Sequence, residues 1–251
     1  MYEQPILETL DHDGRTLAYR HREGVGTTYV FLPGYASDMD GTKALAIDNY
    51  AFHGGRGCLR FDYSGTGSSP GAFADGTLDR WLDETLAMID KVATGNVILV
   101  GSSMGGWLAL LAATRRPDRV AALLLLAAAP DFTDWGFTDE EKATIARDGK
   151  LERPSPYDDS VMVTHEGFWR SGDALRILDV PIEFRGPVRF VHGEADADVP
   201  ARIAATTLQQ LTSPEVQLRL IKDSGHRLSE PHEIGAMLGE LFALDQLVTQ
   251  R

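Results

Sequence analysis

Short apolar runs alternate with longer amphipathic or Ala/Leu-rich stretches along most of the chain. Runs typical of buried strands lie at 28–32, 58–61, 96–100, 120–128, 188–192 and 216–221. Stretches typical of helices lie at 43–51, 77–92, 104–115, 201–211 and 231–249. Ahead of them, the segments 6–12 and 16–20 flank Asp13-Gly14 and predict a hairpin. Strands that alternate with helices predict an α/β fold, in which a mostly parallel sheet is covered by helices on both faces and ligands bind at the carboxyl ends of the strands.

The alternation breaks between residues 130 and 187. Prolines and charged residues become more frequent there, and aromatic side chains cluster at Phe132, Trp135, Phe137, Tyr157, Phe168 and Trp169. We expect one domain over residues 1–251, a length common for a single α/β domain, with residues 131–187 inserted in it as a small cap. Each aromatic residue either packs inside the cap or lines an apolar acyl pocket, and packing is the more common role.

The segment 100–107 contains the pattern G-x-S-x-G at Gly101, Ser103 and Gly105. It lies between a predicted strand and a predicted helix, which is where a sharp turn presents a nucleophilic serine. Small residues are needed on both sides because larger side chains do not fit in that turn. The register of the pattern makes Ser103, and not Ser102, the candidate nucleophile.

A carboxylate and a histidine follow the serine in the order Ser, acid, His that α/β hydrolases use. Asp196 lies in the polar turn after the strand at 188–192 and is the candidate acid, since it stands three residues before Val199-Pro200. Glu194 and Asp198 in the same turn are close alternatives. Asp131, directly after the strand at 120–128, is the runner-up because it also follows a strand of the predicted sheet.

His226 is the candidate base. It follows the last predicted strand and precedes the last predicted helix, where an imidazole can reach back to the serine. Imidazole suits this role because it accepts and returns a proton near neutral pH, and a carboxylate on its far nitrogen fixes the tautomer. We assign the other histidines to loops, turns or strand ends: His12, His21, His53, His165, His192 and His232.

The oxyanion that forms when a serine attacks an acyl carbon needs backbone N–H donors. The residue after the nucleophile, Met104, supplies one. The loop after an early strand supplies the other, and here Pro33-Gly34 lets the chain turn so that the amide of Tyr35 points inward. Together these residues predict a serine hydrolase that works through an acyl-enzyme on Ser103.

Charge and cysteine content limit the binding partners and the cellular location that we expect for this protein. The chain has 37 Asp and Glu against 24 Lys and Arg, and the net charge of -13 argues against nucleic acid and anionic membranes as partners. Cys58 is the one cysteine, and the sequence has no leader-like or membrane-spanning segment, so we expect a cytoplasmic protein. No metal or nucleotide motif competes, so we expect no cofactor and a small-molecule or acylated substrate, and the oligomeric state stays open.

Five blocks of the chain resemble one branch of the α/β-hydrolase superfamily. They are 33–44, 60–67, 75–77 together with Trp81, 101–107 and 226–229. The branch is the abhydrolase-domain family that includes a mitochondrial palmitoyl-protein thioesterase, also described as an acyl-glucuronide esterase. The resemblance covers nearly the whole chain and is weakest at 132–182. It implies a serine hydrolase that cleaves acyl thioesters or esters, with Ser103, Asp196 and His226 in the catalytic roles.

Two other classes of function stay open. A non-hydrolytic receptor or scaffold keeps the fold without turnover, because fold alone does not establish function. An enzyme of different chemistry, such as a dehalogenase or a perhydrolase, is the second, although a dehalogenase of this fold would carry a carboxylate where this chain has Ser103. Turnover of a simple p-nitrophenyl ester separates a hydrolase from a receptor.

Overall fold

The computed structural model describes residues 2–155, 159 and 161–250. Within them the strands are β1 (Glu8–His12), β2 (Arg15–Arg22), β3 (Thr28–Leu32), β4 (Gly57–Phe61), β5 (Val97–Ser102), β6 (Val120–Leu126), β7 (Lys150–Pro154), β8 (Val161–His165), β9 (Val188–Gly193) and β10 (Val216–Ile221). The α-helices are α1 (Thr42–Gly54), α2 (Leu78–Lys91), α3 (Met104–Arg115), α4 (Phe132–Trp135), α5 (Asp139–Asp148), α6 (Glu166–Ala174), α7 (Ala201–Gln210) and α8 (Pro231–Thr249). Tyr157, an aromatic residue of the expected cap, lies outside the described residues.

Eight of these strands form one sheet in the order β1-β2-β4-β3-β5-β6-β9-β10, and β7 and β8 form a separate hairpin. β1 and β2 are antiparallel, which confirms the predicted opening hairpin, and β2 is also antiparallel to β4. All other neighbours in the sheet run parallel. The predicted mostly parallel sheet is therefore confirmed, and the carboxyl ends of β3, β5, β6, β9 and β10 lie at one edge.

Helices cover both faces of the sheet. One core packs α2 and α3 against strand residues such as Val30 and Leu99, and the other packs α1 and α8 against residues such as Tyr29 and Ile98. All five residues of β3 are buried, because its successive side chains enter the two cores in turn. Cys58 of β4 is buried in the second core, where it packs as a small apolar residue.

Local capping explains where several helices begin and end. The Thr77 side chain accepts a backbone N–H of the first turn of α2. Glu230 forms a reciprocal capping pair with Glu233 ahead of Pro231, the first residue of α8. α1 ends at Gly55, whose φ of 65° suits a glycine. α3 and α8 have their predicted bounds, whereas α1 extends beyond the predicted 43–51 at both ends.

Residues 131–187, which we call the insertion, lie between β6 and β9 and hold α4, α5, the β7–β8 hairpin and α6. Asp131 begins the insertion with a φ of 56°, a left-handed conformation uncommon for residues other than glycine. Its buried carboxylate accepts hydrogen bonds from the backbone N–H groups of Ile177 (2.9 Å) and Leu178 (2.8 Å). Asp131 therefore joins the two ends of the insertion. The role of the insertion as a cap stays a prediction.

Candidate active site

Ser103 joins β5 to α3 in a backbone conformation that few residues adopt. Its φ and ψ are 54° and -118°, which costs on the order of 1–3 kcal/mol and persists only when the surroundings hold it. The backbone of β6 and the segment after it hold it, because Ser103 N donates to Leu126 O (2.9 Å) and Ala129 N donates to Ser103 O (3.0 Å). A Cβ on Gly105 would overlap the backbone of Leu32, so the turn accepts only glycine there. The serine side chain is thereby presented at the carboxyl edge of the sheet.

Three side chains from separate loops form one hydrogen-bonded row. Nε2 of His226, in the loop after β10, lies 3.1 Å from Oγ of Ser103. Nδ1 of the same ring lies 2.8 Å from Oδ2 of Asp196, in the turn after β9. Because an ionised carboxylate only accepts, Nδ1 carries the proton and Nε2 is left to accept the proton of the serine hydroxyl. The structure thus brings together the three residues that the sequence predicts as nucleophile, base and acid.

Asp196 is held from several sides, and its side chain is fully buried. Oδ1 accepts the backbone N–H groups of Asp198 (3.0 Å) and Val199 (2.8 Å), and Oδ2 accepts from His226. Burial acts to raise the pKa of Asp196, but the hydrogen bond and charge of His226, together with the Val199 N–H, outweigh burial and lower it. The carboxylate is therefore ionised at neutral pH.

The alternative acids lie elsewhere. The Asp131 carboxylate binds the far end of the insertion, and burial raises its pKa. Glu194 is exposed and forms an ion pair of 3.1 Å with a lysine of the next loop. Asp198 is exposed and contributes its backbone N–H to Asp196. Within the part of the chain that the structure describes, Asp196 is the carboxylate hydrogen-bonded to His226.

The sequence predicts that the backbone N–H groups of Tyr35 and Met104 serve as oxyanion donors beside the serine. A Cβ built on Gly34 would be 3.3 Å from Cβ of Ser103, so the loop after β3 touches the serine directly. The next residue in that loop is Tyr35, and Met104 is the first residue of α3. Neither N–H has a hydrogen-bond partner among residues 2–155, 159 and 161–250. Both are therefore available as donors, as the predicted oxyanion site requires.

A fourth side chain belongs to this cluster, although the sequence indicated no role for it. His192 of β9 is fully buried, and its Nε2 lies 2.8 Å from the Val199 carbonyl oxygen and 3.5 Å from Oδ2 of Asp196. The one sign of it in the sequence is a histidine at the end of a strand, four residues before the acid.

The insertion meets the serine side of the sheet through aromatic rings. The Tyr35 ring centroid lies 4.6 Å from that of Phe168 and 6.1 Å from that of Phe132. The Tyr35 hydroxyl donates to the carbonyl oxygen of Val163 in β8 at 2.8 Å. These rings pack against one another, as expected for aromatic residues of the insertion. Tyr35 therefore links the loop beside the serine to the insertion.

Two open grooves lie away from the serine. One, of about 370 Å³, runs beside Leu111 and Arg115 at the end of α3. The other, of about 290 Å³, runs beside Gly65 and Arg80. Neither groove is lined by Ser103, Asp196 or His226.

Among the described residues, two groups of acidic and histidine side chains have ligand atoms close enough together for a cation. They are Asp196, Asp198 and His226, and His12, Asp13 and Asp83. In the second group Arg15 already pairs with Asp83 at 2.8 Å. In the first group the facing atoms of Asp196 and His226 are hydrogen-bonded to each other. Protein groups thus already bind several of the atoms that a cation would need.

The sheet order, the strained serine turn and the chain order Ser, acid, His define this molecule as an α/β hydrolase. A family model described as the alpha/beta hydrolase family matches residues 29–236. The chain belongs to this family. Within the described residues, no helix combines the length and the apolar character needed to cross a membrane.

Comparison with individual proteins shows which branch of the family this chain resembles. The human palmitoyl-protein thioesterase ABHD10, mitochondrial, is 37% identical over 236 residues, which are 92% of this chain and 76% of that protein. The mouse alpha/beta hydrolase domain-containing protein 10 matches with a TM-score of 0.90 and 34% identity over 96% of this chain and 99% of the mouse chain. A putative hydrolase from Agrobacterium vitis S4 matches with a TM-score of 0.89 and 38% identity over 96% of this chain and 98% of that one. The resemblance to the abhydrolase-domain branch is confirmed.

Proposed function

We propose that this protein is a serine hydrolase that cleaves acyl thioesters or carboxylic esters through an acyl-enzyme on Ser103. The observation that carries the proposal is the continuous row from Ser103 through His226 to Asp196, with distances of 3.1 and 2.8 Å. A serine within hydrogen-bond reach of an accepting imidazole nitrogen has the nucleophile and the base that acyl transfer needs. The thioesterase names of the relatives support an acyl substrate.

The reaction proceeds in two steps. Ser103 attacks the acyl carbon as its proton moves to Nε2 of His226, and the carboxylate of Asp196 stabilises the resulting imidazolium. The N–H groups of Tyr35 and Met104 stabilise the oxyanion. His226 then returns the proton to the departing thiolate or alkoxide, and the acyl group stays on the serine. A water molecule, deprotonated by the same imidazole, attacks the acyl-enzyme, releases the carboxylic acid and restores the serine.

We assign recognition of the acyl group to the insertion. Phe132 is partly exposed and its ring contacts that of Tyr35 next to the serine, so an acyl group that extends in this direction meets an apolar ring. The net charge of -13 disfavours anionic acyl groups, which leaves neutral or apolar ones. The relatives are named palmitoyl-protein thioesterases, so both acylated proteins and small acyl thioesters are substrates to test.

Replacement of the serine tests the proposal. Ser103→Ala should lower kcat for a p-nitrophenyl ester and for an acyl thioester by on the order of 10⁴-fold, and His226→Ala by a similar factor. The double variant should lose little more, because the two residues act as one unit. Ser102→Ala is the matched control, since it removes the neighbouring hydroxyl and should leave kcat nearly unchanged. A Ser103→Ala enzyme that keeps more than about a tenth of its turnover would make the assignment of the nucleophile wrong.

A covalent probe separates the proposal from its alternatives. A fluorophosphonate should add one phosphonyl group to the peptide that contains Ser103, and not to Ser103→Ala. A receptor or scaffold would neither react nor turn over esters. A perhydrolase would form peracid from a carboxylic acid and hydrogen peroxide faster than it hydrolyses esters. We also propose a cytoplasmic location for this protein. The relatives are named as mitochondrial, so imaging of the tagged protein is the test that separates the two locations.

A further inference from the structure

We propose that His192 is a positioning residue that holds Asp196 in the orientation that His226 needs. The inference rests on the proposed serine hydrolase function and adds a member to its site. His192 has no exposed surface, and its Nε2 lies 2.8 Å from the Val199 carbonyl oxygen and 3.5 Å from Oδ2 of Asp196. It belongs to β9, the strand that leads into the turn carrying the acid.

The contacts of His192 fix its tautomer. A carbonyl oxygen can only accept, so Nε2 of His192 carries the proton and donates it to Val199. Nδ1 is buried and has no hydrogen-bond partner among the described residues. Burial lowers the pKa of His192, and this outweighs the Val199 carbonyl and the Asp196 carboxylate, which act to raise it. The ring is therefore neutral at neutral pH and leaves the charge of Asp196 for the imidazolium of His226.

The hydrogen bonds around Val199 show how His192 acts at a distance. Val199 donates its N–H to Oδ1 of Asp196 and accepts from His192 through its carbonyl oxygen. The backbone of His192 lies between β6 and β10 in the sheet, so its ring is carried by a rigid element. His192, Val199 and Asp196 thus form a closed set of contacts that ties the acid to the sheet. Without the ring, the buried carbonyl of Val199 would lose its donor and the turn 194–199 would rearrange.

A packing role alone does not require this residue type. A buried apolar side chain would fill the same space without a polar atom that has to be satisfied. The geometry instead directs the single N–H of the ring at the turn that carries the acid. Rotation of the Asp196 carboxylate would lengthen its bond to His226, and misplacement of a catalytic group by 1 Å can cost about 100-fold in rate.

The experiment compares three substitutions at His192 in the full-length protein. His192→Gln keeps an N–H donor at the reach of Nε2, His192→Asn places its donor too close to the backbone, and His192→Leu removes it. The readouts are kcat and KM for a p-nitrophenyl ester, the pH profile of kcat/KM, and the melting temperature. Asp196 and Asp198, whose carboxylates lie close to His226, and Lys43, which contacts the loop of His226, are unchanged in all three variants.

We expect His192→Leu and His192→Asn to lower kcat by about 10-fold or more with KM within about twofold, and His192→Gln to keep most of the wild-type kcat. The acidic limb of the kcat/KM profile should move to lower pH by about half a unit in His192→Leu and His192→Asn, because a loosened Asp196 stabilises the imidazolium less. If His192→Leu does not fold, the comparison of His192→Gln with His192→Asn carries the test.

Two results would overturn the inference, and they differ from failure of the proposed function. Equal kcat in His192→Gln and His192→Asn, or a melting temperature that falls while kcat and the pH profile stay unchanged, would make His192 a packing residue only. A wild-type enzyme whose turnover does not depend on Ser103 would instead overturn the proposed function, and the role of His192 with it.

Discussion

At the scale of residues, backbone groups hold the candidate site together. Ser103 is fixed by hydrogen bonds to residues 126 and 129, and Asp196 by the N–H groups of residues 198 and 199. Backbone donors on regular strands and tight turns lose little conformational entropy when they bind a side chain, whereas long side chains lose much more. The positions of the nucleophile and the acid therefore depend on the sheet and its turns more than on neighbouring side chains.

Asp196 and Asp131, both buried, should respond differently to the same substitution. Asp196→Asn should lower kcat by about 10³- to 10⁴-fold, because the amide presents the wrong hydrogen-bonding group to His226. Asp131→Asn should lower kcat by less than about 10-fold but destabilise the fold by about 1–3 kcal/mol, because a buried N–H at residue 177 or 178 loses its acceptor. Steady-state kinetics and urea unfolding of both variants check this. The reverse result would place the acid after β6.

Much of the site could be predicted from the sequence because each of its main residues follows a strand with a strong apolar pattern. Ser103, Asp196 and His226 come after β5, β9 and β10, and the carboxyl ends of parallel strands meet at one edge. His192 could not be predicted in this way. Its partner is the backbone carbonyl of Val199, and a carbonyl group leaves no mark in a sequence.

At the scale of elements, the loop after β3 contacts both the nucleophile turn and the insertion. Its backbone lies against Ser103 through Gly34, and the Tyr35 side chain is bonded to β8 of the insertion. A movement of the insertion away from the sheet therefore has to break the bond between the Tyr35 hydroxyl and Val163. Burial raises the pKa of Tyr35 well above its usual value, so the hydroxyl stays a donor at any physiological pH.

Removal of that hydroxyl should favour long acyl groups. In Tyr35→Phe the insertion should move aside more easily, because one partly buried hydrogen bond of about 1 kcal/mol is lost. We expect the ratio of kcat/KM for octanoyl over acetyl thioesters to rise about 5-fold. Tyr19→Phe, which removes a hydroxyl bonded to Glu8 on the opening hairpin, is the control and should leave the ratio unchanged. An equal change at every chain length would show that the insertion does not move for the acyl group.

The elements of the insertion were the part of the fold that sequence patterns missed. β7 contains a single aliphatic residue, Leu151, and α4 has only four residues, so neither has a periodicity to detect. Their positions depend on tertiary contacts such as those of Asp131 and Tyr35. The strands and helices of the sheet layers, in contrast, are long and apolar enough to be predicted with nearly their observed bounds.

At the scale of the whole molecule, two cations lie together despite the net charge of -13. Lys43, at the start of α1, donates to the backbone carbonyl of Arg227, the residue after His226. Burial and the charge of Arg227 lower the pKa of Lys43 to about 8, although Glu233 acts in the opposite direction. The first turn of α1 and the loop of the candidate base are thereby joined through a partly buried lysine.

Titration of Lys43 should make the free energy of unfolding depend on pH. Between pH 8 and 10.5 native Lys43 has released a proton that the unfolded chain still holds. Unfolding then takes up a proton, so the free energy of unfolding gains a component that increases with pH across this window. In urea unfolding, the free energy of unfolding of the wild type minus that of Lys43→Met should increase from pH 8 to 10.5. A flat difference for Lys43→Met would mean that Lys43 keeps its proton throughout.

The position of β10 at the end of the sheet makes the candidate base depend on an edge strand. β10 pairs with β9 alone, and none of its residues is fully buried. Opening of this strand requires less free energy than global unfolding, and it would carry His226 away while Trp81 and Trp107 stay in the core. Amide hydrogens of β10 should therefore exchange with deuterium faster than those of β5. Hydrolytic activity should be lost at a lower urea concentration than the one at which tryptophan fluorescence changes. Coincident transitions would mean that β10 unfolds only with the whole domain.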